Sequence, residues 1–260
     1  MRFKLTLEVN KRAFGNVLPI NYQYEQSAVI YRILAEGSKK YADWLHENGY
    51  QLQSGKRFKF FTYSPLKIFK RNFYQEEGHL EILSDTVEWQ ISFLPEKSTE
   101  KFIQGLFANQ VFEIGDKKSV VQFWVQKVEV LPAPLFSEEM CFKTMSPICL
   151  KFKNEDGKTD YLIPTEERAK EVILYGLKER YKALYKEPLA GDFPFEFTPI
   201  GDCKEKKITI KSGTDAQNKV RGYQCKFKIR APLPLMKIMY ESGIGQQCSQ
   251  GFGCVREGKE

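Results

Sequence analysis

The feature that most restricts this chain is an order of elements that occurs twice, once on each side of Pro132-Ala133-Pro134. Proline locks φ and lacks an N–H, so two prolines flanking one alanine continue neither a helix nor a central strand and read as a linker. Before it, Arg2–Val9 alternates apolar and polar residues and reads as a strand. Gln23–Ala35 carries apolar residues at helical spacing (Tyr24, Ala28, Tyr31, Leu34). Gly37-Ser38 breaks and re-caps the chain, and Lys39–Asn48 forms a second short helix stopped by Gly49. Phe58–Ser64 reads as a strand, followed by extended stretches at Leu66–Phe73, His79–Leu83 and Val87–Leu94. A helix introduced by Pro95 and Ser98 runs to Ala108, and Ser119–Leu131 is a long alternating strand. After the linker come strands at Met140–Lys153 and Asp160–Ile163, a long helix at Thr165–Tyr185, and strands at Phe195–Ile200, Lys206–Lys211 and Val220–Ala231. A helix at Leu233–Ser242, a glycine-rich loop and a short strand at Phe252–Arg256 complete the chain. The expectation is an α+β protein of two tandem ferredoxin-like (RRM-like, βαββαβ) domains, 1–131 and 135–260.

At 260 residues each half has about 130, enough for its own core, and 42% hydrophobic residues exclude wholesale disorder. No apolar run approaches the roughly 18 residues of a membrane span, and the N-terminus has no signal-peptide pattern, so no membrane partner and a cytoplasmic location are expected. The six cysteines show no Cys-x-x-Cys pair and there are two histidines, so no metal site and no cofactor are expected, and the thiols read as free.

The net charge of +7 is unevenly placed. Residues 56–71 hold six cations and no acid, and residues 204–230 hold nine cations against Glu205 and Asp215. These 43 residues carry +13 on a remainder of about −6. Aromatics interleave both segments, and period-2 alternation (Lys59-Phe60; Cys225 to Arg230) sets cations on one strand face and apolar groups on the other. Such strands bury one side and offer the other to a polyanion. The candidate contacts are Lys56, Arg57, Lys67, Lys70 and Arg71 in the first segment. In the second they are Lys206, Lys207, Lys211, Arg221, Lys226, Lys228 and Arg230.

Near the C-terminus, Gly243-Ile-Gly245 and Gly251-Phe-Gly253 flank five mostly polar residues. Glycine admits positive φ and close backbone approach, so this loop is expected either to present amides to phosphate oxygens or to form a tight structural turn. It is neither a Walker nor a Rossmann motif.

This loop on tandem ferredoxin-like halves resembles the CRISPR-associated endoribonucleases that cut repeat RNA precursors, members of the RAMP superfamily. The similarity extends to Met-Arg-Phe at the start, Asn21-Tyr22-Gln23-Tyr24 leading into a helix with Ile30-Tyr31, His46 in Tyr41-Ala-Asp-Trp-Leu-His46-Glu, Lys59 before Phe-Phe-Thr-Tyr-Ser, and Met145-Ser146-Pro147-Ile148. The resemblance implies a catalytic set of Tyr31, His46 and Lys59, with CRISPR repeat RNA as partner. RNA carries its own nucleophile, the 2′-hydroxyl, so a metal-free enzyme needs a base, an acid and donors for the phosphorane charge. His46, in the last turn of a helix whose C-terminus favours imidazolium, suits the acid. Tyr31 orients the 2′-hydroxyl or shares base duty. Lys56 and Arg57 are alternatives to Lys59, and His79, in a Gly-His-Leu turn, reads as a surface residue without a partner. Effector-complex subunits and a second copy of the chain stay open as further partners. The competing readings are a RAMP subunit that holds repeat RNA without cutting it and an RRM-like single-strand binder; the latter lacks an RNP-type run.

Overall fold

A computed structural model of the chain describes residues 1–258. The order begins β1 (Arg2–Val9), α1 (Lys11–Phe14), β2 (Val17–Pro19) and α2 (Gln23–Glu47). Six short strands follow: β3 (Tyr50–Gln51), β4 (Arg57–Phe58), β5 (Phe61–Tyr63), β6 (Lys67–Ile68), β7 (Arg71–Tyr74) and β8 (His79–Ile82). Next come β9 (Thr86–Phe93), α3 (Glu96–Ala108), β10 (Val111–Gly115) and β11 (Val120–Leu131). The remainder is β12 (Glu139–Thr144), β13 (Lys151–Lys153), β14 (Thr159–Tyr161), α4 (Glu167–Tyr185), β15 (Glu196–Ile210), β16 (Asn218–Arg230), α5 (Leu233–Ser242) and β17 (Val255–Glu257).

The chain forms two compact units: 1–47 with 64–131 and 209–218, and 48–63 with 132–208 and 219–260. Segments 48–63 and 209–218 therefore group differently from the 1–131 and 135–260 division read from the sequence, and residues 259–260 lie outside the described ones.

In the first unit the sheet runs β10-β11-β1-β9, with β6 on the far side of β9. β1 is antiparallel to both neighbours, pairing Phe3 with Val130 and with Ile91. Taking β11 as the fourth strand, this is the 4-1-3-2 order of a ferredoxin-like fold. Because side chains alternate along β1, Phe3, Leu5, Leu7 and Val9 all point to one buried face. Phe102 of α3 packs there, 6.0 Å from Phe3 and 4.9 Å from Phe93 between ring centroids. Each fully buried phenylalanine contributes about 1.5–3 kcal/mol. The second unit repeats the order as β15-β16-β12-β17, and Phe142, Phe227 and Phe197 fill its core. Cys225, Phe227 and Ile229 are buried while Lys226, Lys228 and Arg230 alternate outward, as their period-2 pattern requires.

Four local expectations are corrected. Phe58–Ser64 is not one alternating strand: Phe60 adopts φ 54° between β4 and β5, and the run from Phe60 to Tyr63 is buried throughout. Met140–Lys153 is interrupted after Thr144, where Met145 and Ser146 amides turn to the Cys254 carbonyl. Phe195–Ile200 and Lys206–Lys211 are parts of a single strand, β15, that runs on through Gly201. His79 is half-buried, with Nε2 3.2 Å from Glu77 and its ring 5.0 Å from Tyr74. Among the described residues all six cysteines are free thiols, and five of them are buried.

Candidate functional site

α2 is broken at Ser38, whose φ of −171° and ψ of 104° are extended. The Tyr41 amide donates to Ser38 Oγ at 3.3 Å, so Ser38 caps the second half in the way a helix N-cap does. The break decides the geometry. Fifteen residues of uninterrupted helix span about 22 Å, whereas the Tyr31 and His46 rings lie 5.0 Å apart, edge to face at 86°.

Gly37, beside the break, is needed for packing. A Cβ there would lie 2.0 Å from the Lys101 carbonyl oxygen of α3, and one on Gly105 would lie 1.7 Å from the Ile33 carbonyl oxygen. The two helices thus cross with backbone against backbone. The buried apolar positions of α2 are Val29, Ile30, Ile33, Leu34, Tyr41, Ala42 and Leu45. Tyr31 is off that stripe, half-buried, and His46 is exposed in the last turn. Burial pushes the Tyr31 phenol well above its ordinary pKa, with the Tyr41 phenol adding to the shift. Tyr31 is therefore a neutral hydrogen-bonding group at physiological pH.

Lys59 belongs to the second unit and lines a cleft of about 630 Å³. A β3–β4 hairpin turning at Gly55 (φ 81°) brings Lys56 and Arg57 to it, with Tyr50 opposite Phe58. Burial pushes Lys59 down to about 8, and the positive charge of Arg57 adds to this. Burial also lowers Lys56, which Glu179 opposes and Arg180 reinforces. Lys56 Nζ sits 4.9 Å from the Tyr175 ring and 5.4 Å from the Phe58 ring.

The cleft has three further cations, Lys151, Arg168 and Arg180, with Glu171 as its acidic lining residue. Sequence reasoning missed these three because acids such as Glu166, Glu167 and Glu179 cancel them in a linear window. The spacing Arg168, Val172, Gly176, Arg180, four residues at each step along one helix ridge, was the available signal.

Arg180 is buried and donates to the carbonyls of Gly243 and Gly245, and to Cys248 Sγ at 3.1 Å. The glycine loop is thereby built around a guanidinium. Its amides are largely used internally: Gly243 N–H donates to Met239 O (2.9 Å), Gly251 N–H to Cys248 O (3.3 Å) and Gly253 N–H to Pro147 O (2.8 Å). A Cβ on Gly253 would meet the Ile244 carbonyl oxygen at 2.0 Å, and one on Gly245 the Cys149 carbonyl oxygen at 2.6 Å. Of the two roles expected for these glycines, the tight structural turn accounts for Gly243, Gly251 and Gly253. Toward the cleft the loop presents Gln246, Gln247 and Ser249.

The other candidate contacts are dispersed. Lys67 pairs with Glu88 at 2.9 Å across β6 and β9. Lys70 is exposed, and Arg71 stacks 4.7 Å over the exposed Phe73. Lys207 (3.2 Å) and Arg221 (3.7 Å) approach Glu205, and Lys228 pairs with Glu139 at 2.5 Å. Lys206 and Arg230 are exposed and Lys226 is half-exposed on strands of the second unit, while Lys211 falls in the first unit at 5.8 Å from the Tyr24 ring. Among the described residues, no group of three or more His, Cys, Asp and Glu side chains is arranged to hold a metal ion. No helix among them is long and apolar enough to cross a membrane.

Two family models match the chain. CRISPR associated protein Cas6, C-terminal, covers residues 129–257, and CRISPR-associated protein Cas6, N-terminal, covers residues 17–129. The chain is 33% identical to the CRISPR-associated endoribonuclease Cas6 1 of Methanocaldococcus jannaschii, over 98% of this chain and 92% of that protein. It is 27% identical to the CRISPR-associated endoribonuclease Cas6 of Pyrococcus furiosus, over 98% and 89% respectively. A solved structure of a CRISPR associated protein Cas6 superposes with a TM-score of 0.75 at 31% identity, covering 100% of this chain and 99% of that one. The product of a Cas6-related gene from Pyrococcus furiosus superposes with a TM-score of 0.82 at 25% identity, again over 100% and 99%. Matched along nearly its whole length in sequence and in fold, the chain belongs to the Cas6 family of CRISPR-associated endoribonucleases.

Proposed function

We propose that this endoribonuclease cleaves CRISPR precursor transcripts within their repeats by attack of the 2′-hydroxyl on the adjacent phosphorus, without a metal ion, leaving 2′,3′-cyclic phosphate and 5′-hydroxyl ends. The observation that carries this reading is the Tyr31–His46 pair, set 5.0 Å apart by the break at Ser38. His46, exposed at a helix C-terminus, gives a proton to the 5′-oxygen as the P–O bond breaks. Tyr31 stays protonated, its phenol pKa raised further by partial burial, so its hydroxyl orients the 2′-hydroxyl by hydrogen bonding, and the 2′-hydroxyl proton passes to water as the oxygen attacks phosphorus. Lys59, flanked by Lys56 and Arg57, supplies positive charge for the phosphorane oxygens.

In this reading the catalytic pair belongs to an N-terminal ferredoxin-like domain of residues 1–131 and the glycine-rich loop to a C-terminal one of 135–260. The exposed cations of both segments hold the RNA through its phosphates. The enzyme works in the cytoplasm, and its protein partners are effector-complex subunits or a second copy of the chain, which light scattering with and without RNA distinguishes.

The deciding experiment is cleavage of labelled repeat RNA in excess EDTA, by the wild type and by His46→Ala. The expected result is cleavage by the wild type, abolished by a 2′-deoxy nucleotide at the cut site, and tight binding without product for His46→Ala. Full cleavage by His46→Ala removes the assigned acid, and a strict requirement for a divalent ion removes the mechanism. Binding without product by the wild type would return the chain to the non-cleaving alternative.

A further inference from the structure

Three glycines lie within α2, α3 and α4, and two of them have a reason in the protein. Gly37 and Gly105 face backbone that a Cβ would strike. Gly176, in the middle of α4, has nothing within 4 Å of the place a Cβ would occupy, and its φ is not positive. A helix-interior glycine costs about 1 kcal/mol relative to alanine, and no contact within the chain offsets that cost. Gly176 lines the cleft, one residue after Tyr175, which is 60% exposed. Lys56 sits over the Tyr175 ring, and Arg168 and Lys151 line the same cleft. A bare stretch of helix beside an exposed aromatic ring, in a cleft with six cations, is the form of a nucleotide seat. Glu171, one turn before Tyr175, lines the cleft with a carboxylate, a group that repels phosphate and can accept hydrogen bonds from the N–H groups of a base edge.

We propose that α4 seats one unpaired nucleotide of the RNA, with its base stacked on Tyr175, its sugar lying over Gly176 and its phosphates toward Arg168 and Lys151. The proposal rests on the RNA-cleaving function above and adds a base-recognition subsite in the second unit. Gly176 is the space the ligand needs, and Tyr175 is the platform.

The test uses the full chain and repeat RNAs in which each nucleotide in turn is made abasic, with dissociation constants measured at fixed salt and pH. Tyr175→Ala is expected to weaken binding of intact repeat by about 5- to 150-fold, the size of one lost base stack, and Tyr175→Phe to restore it. The loss should vanish for the RNA that is abasic at one particular position, since wild type has already lost the stack there. Gly176→Ala and Gly176→Leu are expected to raise Tm through helix propensity while weakening RNA binding, by at least about tenfold for leucine. Raised stability with lost binding is a combination that a purely structural glycine does not produce. Unchanged affinity in Tyr175→Ala, a loss of equal size with every abasic RNA, or wild-type binding by Gly176→Leu each overturns the seat. If wild type neither binds nor cleaves any repeat RNA, it is the endoribonuclease reading that falls.

Discussion

Replacing Gly37 by alanine tests whether the backbone crossing of α2 and α3 sets the proposed catalytic pair of Tyr31 and His46. The new Cβ would stand 2.0 Å from the Lys101 carbonyl oxygen, 2.9 Å from its carbon and 3.1 Å from the Gly105 nitrogen. All three partners are helix backbone and cannot rotate away, so the helices must separate by more than about 1 Å to regain ordinary contact distances. Overpacking of this kind costs about 1–3 kcal/mol. The propensity gain from alanine, at most about 1 kcal/mol, offsets little of it, because Ser38 ends the helix at the next residue. A net loss of about 1–2 kcal/mol corresponds to a drop in Tm of roughly 2–8 °C for a chain of this size. The effect on rate is larger. His46 lies beyond the break and Tyr31 before it, and a displacement of about 1 Å in a reacting group costs on the order of 100-fold. Calorimetry and single-turnover cleavage of repeat RNA read the two effects separately. If Gly37→Ala melts with the wild type and cleaves within about threefold of its rate, the close crossing does not hold Tyr31 against His46 and the reasoning fails.

Two further predictions concern the cleft. Lys59 titrates near 8 in the folded chain, below its ordinary 10.5, because burial and Arg57 disfavour its charged form. Folding therefore bears a penalty below about pH 8 that is relieved between about 8 and 10.5, while the folded chain loses the charge that attracts phosphate as pH passes through about 8. RNA affinity should fall between pH 7 and pH 9, and Lys59→Arg should flatten that fall; equal dissociation constants for wild type at the two pH values would exclude Lys59 as a phosphate contact. Arg180→Met leaves the Gly243 and Gly245 carbonyls without their donor, at about 1–3 kcal/mol each. Guanidinium denaturation should show at least 1–2 kcal/mol of destabilisation, and a loss under about 0.5 kcal/mol would show that Arg180 does not support the loop.

Much of the first unit's site was readable because its determinants are local. Glycine followed by serine in mid-helix announces a break and a new cap, and the structure has both at Ser38. The spacing of Tyr24, Ala28, Tyr31 and Leu34 does not by itself say whether Tyr31 belongs to the core. The neighbouring stripe through Ile30 and Ile33 takes that place, since burial depends on which face α3 covers and not on periodicity alone. The cleft was less readable. Its cations at 56, 57 and 59 stood out as a cluster, but Lys151, Arg168 and Arg180 come from distant positions on β13 and α4. The short β3–β4 hairpin that presents Lys56 carries only a Ser-Gly turn signal.

The sequence by itself determined the doubled ferredoxin-like order, the alternation that turns Lys226, Lys228 and Arg230 outward, and the break that allows a tyrosine and a histidine fifteen residues apart to meet. These follow from dihedral preferences and from side-chain periods that act over a few residues. Only the tertiary structure decided that Gly37 is required by a crossing helix, that the glycine loop closes around a buried arginine and bonds its Gly243, Gly251 and Gly253 amides to the protein's own carbonyls, and that Gly176 faces open space in a basic cleft. Each of those depends on which distant backbone or charge arrives at the residue, and nothing in its own neighbourhood of the chain records that.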